Sequence, residues 1–268
     1  MRLDVDNVSF AYVGQAFSLS GQTESLAHTA LRDVSLSING GGSLVALAGP
    51  NGSGKSTLLK LVARVAAPLR GEVRLDGKRA SDWPAKEYAK QVGYLPQDPD
   101  PAFPMRAIDV VVSGRAPFLR RFEFEKDSDY RHAEEALAMC DASPLAERYL
   151  DEMSGGERKR VFLARVLAGS PQLVLLDEPF ASLDVAHVQQ VSSLLREIVD
   201  RTGATIIFAS HDLNWAAAYS DRMLVMRDGM LARDAAPADV MREEVVRELF
   251  GYDARIVDGW LVPRVQQQ

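Results

Sequence analysis

Two hydropathic periods alternate along the chain. Apolar residues recur at every second position at Leu3/Val5 and again at Val34/Leu36/Ile38, which predicts two strands with one buried face. Between them, Val13 to Ala30 is rich in Gly, Ser, Gln and Thr and reads as a loop or an extended hairpin tip. Ser43 to Ala48 is almost continuously apolar and runs into glycine, the pattern of a strand covered on both faces. Thr57 to Val65 takes up helical spacing, and Glu72 to Leu75 predicts a strand entering an Asp76-Gly77 turn.

The pattern changes in the middle of the chain. Pro99, Pro101 and Pro104 stop regular structure between Asp98 and Pro104, because each lacks a backbone donor. Beyond them, Ala133, Ala136, Leu137 and Cys140 share one helical face, and Glu157 to Ala168 is apolar nearly all round after a basic start, as a buried helix would be. Strand and helix periods then alternate again: Leu173 to Leu176, Val185/Val188/Leu195/Ile198, Thr205 to Phe208, and Met223 to Met226 ahead of Asp228-Gly229. The alternation predicts an α/β fold, a mostly parallel sheet flanked by helices with an antiparallel β part at the N-terminus. The interruption between about Gln97 and Arg160 predicts a helical insertion.

Composition narrows the class. At 268 residues, 47% hydrophobic and 25% charged, the chain suits one large globular domain and excludes disordered, collagenous and disulfide-scaffold classes. The longest stretch without a charged residue, Val34 to Gly54, is broken by glycines and Pro50, so no membrane span is expected. The start, Met1-Arg2-Leu3-Asp4-Val5-Asp6, lacks the basic-then-apolar order of a secretory signal. A single cysteine, Cys140, cannot form an internal disulfide, and the net charge of −6 argues against general nucleic-acid binding.

Chemistry enters at Gly49-Pro50-Asn51-Gly52-Ser53-Gly54-Lys55-Ser56, which fits G-x-x-x-x-G-K-[ST] between a buried strand and a helix. Glycines let backbone N–H groups turn inward on phosphates, and the helix N-terminus adds a favourable dipole. Lys55 is expected to reach the β- and γ-phosphates, Ser56 to offer its hydroxyl to Mg²⁺ and Thr57 to bond the α-phosphate. The loop predicts a P-loop NTPase core, though alone it does not separate ATPase, GTPase and kinase. Asp177 and Glu178 narrow the choice. They end the apolar run Leu173 to Leu176, where Asp177 would hold Mg²⁺ and Glu178 would polarise the attacking water as base.

Met153-Ser154-Gly155-Gly156-Glu157-Arg158 resembles the signature of ABC-transporter ATPases, and the other landmarks follow in order over nearly the whole chain. Tyr12 matches the aromatic that stacks on adenine, with Phe10 and Phe17 as alternatives. Gln97 matches the Q-loop glutamine near Mg²⁺, Ser182-Leu183-Asp184 the D-loop, and His211 the switch histidine that contacts the γ-phosphate and orients the base. The resemblance implies a single ABC ATPase domain over 1–268, with a nucleotide-binding core at 1–96 and 161–268 and a helical subdomain at about 97–160. It also implies that Ser154, Gly155, Gly156, Glu157 and Asp184 face ATP across a head-to-tail homodimer with two composite sites. Physically, Ser154 caps a helix whose first N–H groups can receive an anion. His28, His132 and His187 match no motif and are expected on the surface.

Asp109 to Pro117, Tyr94-Leu95-Pro96-Gln97 and His211-Asp212-Leu213-Asn214 resemble segments of the ATPases of iron-siderophore, haem and cobalamin importers. That resemblance implies a peripheral subunit at the cytoplasmic face of the inner membrane, using ATP and Mg²⁺. Its implied partners are transmembrane permease subunits and, indirectly, a periplasmic or extracellular substrate-binding protein. The alternatives are an ATPase for another transported cargo and a soluble ABC scaffold or assembly ATPase. The chain departs from the family pattern at Phe180, where Thr is usual, at Met153, where Leu is usual, and at Ala232 to Pro237, which lacks a common Gly.

Overall fold

The structure, a computed structural model, describes residues 1–17, 23–99, 104–181, 184–251 and 253–264. Ser182 and Leu183 of the expected D-loop, the side chain of Phe17 and the Gln266-Gln267-Gln268 tail lie outside the described residues.

In chain order the elements are β1 (Arg2–Phe17), β2 (Thr23–Asn39), β3 (Ser43–Ala48), α1 (Lys55–Val62), β4 (Arg70–Leu75) and β5 (Lys78–Arg79). They continue with α2 (Ala85–Gln91), β6 (Val92–Leu95), α3 (Ala107–Val112), α4 (Asp127–Met139), α5 (Gly155–Leu167), β7 (Leu173–Leu176) and α6 (Val185–Thr202). The last are β8 (Thr205–Ser210), α7 (Leu213–Tyr219), β9 (Arg222–Arg227), β10 (Met230–Ala235), α8 (Pro237–Val240), α9 (Glu243–Phe250), β11 (Ala254–Val257) and β12 (Trp260–Pro263). The chain divides into two compact units. The first takes Met1, 40–45 and 83–210; the second takes 2–39, 46–82 and 211 onward.

In the first unit β6, β7 and β8 are parallel neighbours, with Val92 opposite Leu173 and Leu176 opposite Phe208. Every residue of β7 and β8 is buried, the signature of a parallel sheet covered on both faces. Helices α3, α4 and α5 pack against one another, and Ala133, Ala136, Leu137 and Cys140 meet the core as the spacing predicts. Along α6 the buried stripe is Val188, Val191, Leu195, Ile198 and Val199, and the helix ends at Gly203 with φ 68°. Val185, expected on that stripe, is instead exposed: as the first helical residue it stands a turn ahead of the packed face.

In the second unit β2-β1-β4-β5 form an antiparallel sheet. The pairing of β1 with β2 continues from Leu3 opposite Ile38 to Phe17 opposite Thr23, so 13–17 and 23–27 pair as the two arms of an extended hairpin. Leu3, Val5, Val8, Leu31, Val34 and Ile38 fill its buried face. The hairpins β4–β5, β9–β10 and β11–β12 all close on Asp-Gly, with φ 50° and 77°, 51° and 78°, and 52° and 81° respectively. Two consecutive left-handed residues match the twist of paired strands, and Asp-Gly tolerates them best. Helix α1 begins two residues before the predicted Thr57 and stops at Val62, because Arg64 turns left-handed at φ 58°.

Candidate active site

In the second unit the end of β3 runs through the glycine-rich loop into α1. Gly49, Gly52 and Gly54 have φ 150°, 79° and 102°. A Cβ on Gly49 would lie 2.3 Å from the Met226 carbonyl oxygen, and one on Gly54 2.7 Å from that of Ala30, so neighbouring backbone itself demands glycine there. The loop is held by Ser53 N–H donating to the Pro50 carbonyl at 3.2 Å and Gly229 N–H donating to that of Ser53 at 3.2 Å. Lys55 is buried, its Nζ donating to the carbonyls of Gly49 at 2.8 Å and Pro50 at 3.1 Å. Among the described residues, no side chain caps the start of α1 and the buried Ser53 hydroxyl has no hydrogen-bond partner, and the first turn of α1 holds no acidic residue. A helix start so furnished favours an anion. Pro50, Asn51 and Gly52 are exposed at the rim of this loop, and Ser56 is half-buried.

Tyr12 joins this group. Its hydroxyl lies 3.2 Å from Thr57 Oγ1, and its ring meets Phe10 edge-on at 5.0 Å. Tyr12 is 46% exposed, so its aromatic side chain is accessible to a stacking partner. His211 is exposed, one residue before Asp212, whose carboxylate caps α7 by accepting from Trp215 N–H at 3.1 Å. Asn214 binds the C-terminal hairpin like a peptide unit. It accepts from Leu261 N–H at 2.7 Å and donates to the Leu261 carbonyl at 3.2 Å, while Trp215 meets Trp260 edge-on.

The first unit holds the other expected residues. Asp177 and Glu178 are buried at the end of β7, and Asp177 N–H donates to the Leu95 carbonyl at 2.9 Å. Glu178 is left-handed at φ 51°, a conformation uncommon for a side chain of this length, and its carbonyl accepts from Ala181 N–H at 3.1 Å. Gln97, Lys159, Arg160, Asp177 and Glu178 line one partly open pocket of about 20 Å³, so the expected Q-loop glutamine and both carboxylates border a common space. Phe180 packs edge-on against the buried Phe208 at 5.4 Å, which gives the departure from Thr a packing reason.

Ser154 caps α5 and forms a closed box with Glu157. Its Oγ accepts from Glu157 N–H at 3.3 Å and donates to Glu157 Oε2 at 2.8 Å, and Ser154 N–H donates to the same carboxylate at 2.8 Å. These bonds, the backbone N–H foremost, with Arg148 at 3.0 Å, hold the Glu157 carboxyl below the usual range. Ser154 and Gly155 are exposed, and a Cβ on Gly155 would meet nothing, so this helix start presents an open surface. Gly156 is half-buried behind it. Asp184 caps α6 by accepting from His187 N–H at 2.9 Å, which lowers its carboxyl, and its Oδ1 also faces His187 Nδ1 at 2.8 Å.

Sequence reasoning missed three of these features. His187 engages Asp184, three positions on, and the i, i+3 spacing from an N-cap acid was the available signal. The β11–β12 hairpin was marked by Asp258-Gly259, the same dipeptide as in the two turns that were recognised. Lys159 had no local signal, since its partners come from remote segments.

The ABC transporter family profile matches residues 31–181. The chain is 42% identical to the hemin import ATP-binding protein of Gloeobacter violaceus, over 81% of this chain and 80% of that one. It is 38% identical to the petrobactin import ATP-binding protein of Bacillus anthracis, with the same coverage of 81% and 80%. Among solved structures, the inward-facing conformation of a metal-chelate type ABC transporter matches with TM-score 0.77 and 25% identity over 98% of each chain. A dimeric post-hydrolysis ATP-binding cassette bound to ADP and Pi matches with TM-score 0.72 and 27% identity, over 88% of this chain and 98% of that one. With the phosphate loop, the buried carboxylate pair and the capped signature helix in place, the chain belongs to the ABC transporter family, as one of its ATP-binding, ATP-hydrolysing subunits.

Proposed function

We propose that this subunit powers import of an iron chelate, haem or cobalamin through a separate transmembrane permease. It would work from the cytoplasmic face of the inner membrane, with a substrate-binding protein delivering cargo on the far side. The reading is supported by relatives named for hemin, petrobactin and achromobactin transport. The cavity that gathers Gln97, Asp177 and Glu178 is the observation behind the hydrolytic half.

The residues divide the work. Lys55, the loop N–H groups and Thr57 bind phosphates, and Tyr12 takes the adenine. The buried Asp177 carboxylate, the exposed Gln97 amide oxygen and the Ser56 hydroxyl are hard donors of the kind Mg²⁺ selects, so Asp177, Gln97 and Ser56 would hold it. Bound there, Mg²⁺ supplies charge neutralisation at the β- and γ-phosphates. Glu178 accepts the proton of the attacking water, with His211 orienting the γ-phosphate. Ser154 to Glu157 and Asp184 act on the nucleotide of a second copy, so two composite sites form in a head-to-tail pair. Residues 97–160 act as a helical coupling subdomain against the permease. ATP favours the closed pair through its differential affinity, and hydrolysis releases it.

The test is reconstitution of the chain with its co-purifying permease and binding protein. ATP hydrolysis stimulated by ferric siderophore, haem or cobalamin supports the reading. A complex stimulated by none of the three contradicts it.

A further inference from the structure

Lys159 is the one cation of α5 that reaches the segment following β7 by a direct bond among those described. It lies five residues beyond Ser154, about 7.5 Å along the helix axis. Its Nζ donates to the carbonyl of Ala181, three residues after Glu178, and its side chain lines the cavity shared by Gln97, Asp177 and Glu178. The side chain is half-buried. Burial lowers its pKa, while the carboxylates of Asp98 and Glu178 favour the charged form. An ammonium withdrawn from water is costly unless its donors are satisfied, so this bond favours an arrangement in which α5 stays against 178–181.

We propose that Lys159 is a positioning residue that ties the signature helix to the segment carrying Glu178, so that engagement of the exposed Ser154 end is transmitted to the same subunit's own base. The proposal rests on the reading above in which Ser154 serves the partner's nucleotide and Glu178 serves its own. Each composite site then reports its occupancy to the other through the ammonium–carbonyl link. The α5 start and the 178–181 turn move together or not at all.

The experiment uses the full chain in complex with its co-purifying membrane subunits, with ATP and Mg²⁺. Lys159→Met keeps the aliphatic stem and removes the donor. It is expected to lower kcat about tenfold and to bring the Hill coefficient for ATP close to one, with ATP binding unchanged within about twofold. Lys159→Arg, which keeps charge and donors, is expected to recover at least half the rate. Wild-type rate and Hill coefficient in the Met variant overturn the proposal, as does an Arg variant as defective as Met at equal melting temperature. Should the Met variant fail to fold, Lys159→Gln is judged by the same outcomes. Glu178→Gln is measured beside them: retained hydrolysis there removes the base assignment, whereas lost hydrolysis with an unaffected Lys159→Met removes only the coupling.

Discussion

Arg115 Nε lies 3.1 Å from Asp129 Oδ1, with the two side chains only 10% and 8% exposed. The same guanidinium donates to the Ala168 carbonyl beyond the end of α5 at 3.0 Å and stacks on Phe118 at 3.8 Å. One buried cation therefore joins α4, the end of α5 and the segment after α3. Burial pushes the Asp129 carboxyl up, but Lys126 N–H and Arg115 outweigh it and leave the group below its ordinary 3.8. Removing the cation strands a buried carboxylate, so Arg115→Met is expected to cost about 3 kcal/mol, read as a fall in denaturation midpoint. Because the unfolded chain takes up this proton more readily than the folded one, stability from the pair is complete above about pH 5. It is lost as pH falls below 3.8 through the lowered value. Melting curves between pH 6 and pH 3 should show Asp129→Asn losing least in acid; an unchanged pH slope contradicts the pairing.

The glycines of the phosphate loop separate two physical demands. At Gly49 a Cβ would press on the Met226 carbonyl oxygen at 2.3 Å, whereas at Gly52 it would meet nothing. Gly49→Ala is expected to shift the backbone and weaken ATP binding at least tenfold. Gly52→Ala carries only the left-handed strain, about 1–2 kcal/mol. Nucleotide titration of both variants beside their melting curves checks the order, and equal losses would refute it.

Local pattern made the phosphate loop, β7 with Asp177 and Glu178, and the turns at Asp76-Gly77 and Asp228-Gly229 readable, because strand burial, glycine and turn chemistry are each written within a few residues. What escaped depends on distant segments. Val185 continues the α6 period in sequence yet lies exposed because it stands a turn ahead of the packed face, and α1 stops early at the left-handed Arg64. Lys159 reads as one more basic residue after the signature until Ala181 is brought to it. The choice between loop and hairpin after Val13 was open because Gly, Ser and Thr suit both, and it was closed by strand pairing through Phe17 and Thr23.

The open helix start at Ser154 predicts an effect in trans. Ser154→Arg places a long cation where a second copy's nucleotide is proposed to sit, and it breaks the box with Glu157. Steady-state ATPase activity should fall about a hundredfold while binding of ATP to the single chain stays within twofold of wild type. Intact ATPase activity would remove the composite-site reading.

In the proposed reading Glu178 is the base of an ATP-driven dimer. Glu178→Gln keeps the shape and the left-handed turn while removing the proton acceptor. Size-exclusion chromatography of this variant with ATP and Mg²⁺, paired with phosphate release, is the decisive measurement. A stable ATP-bound dimer with hydrolysis reduced at least a hundredfold is the expected result. A variant that stays monomeric with ATP, or that releases phosphate at the wild-type rate, contradicts it.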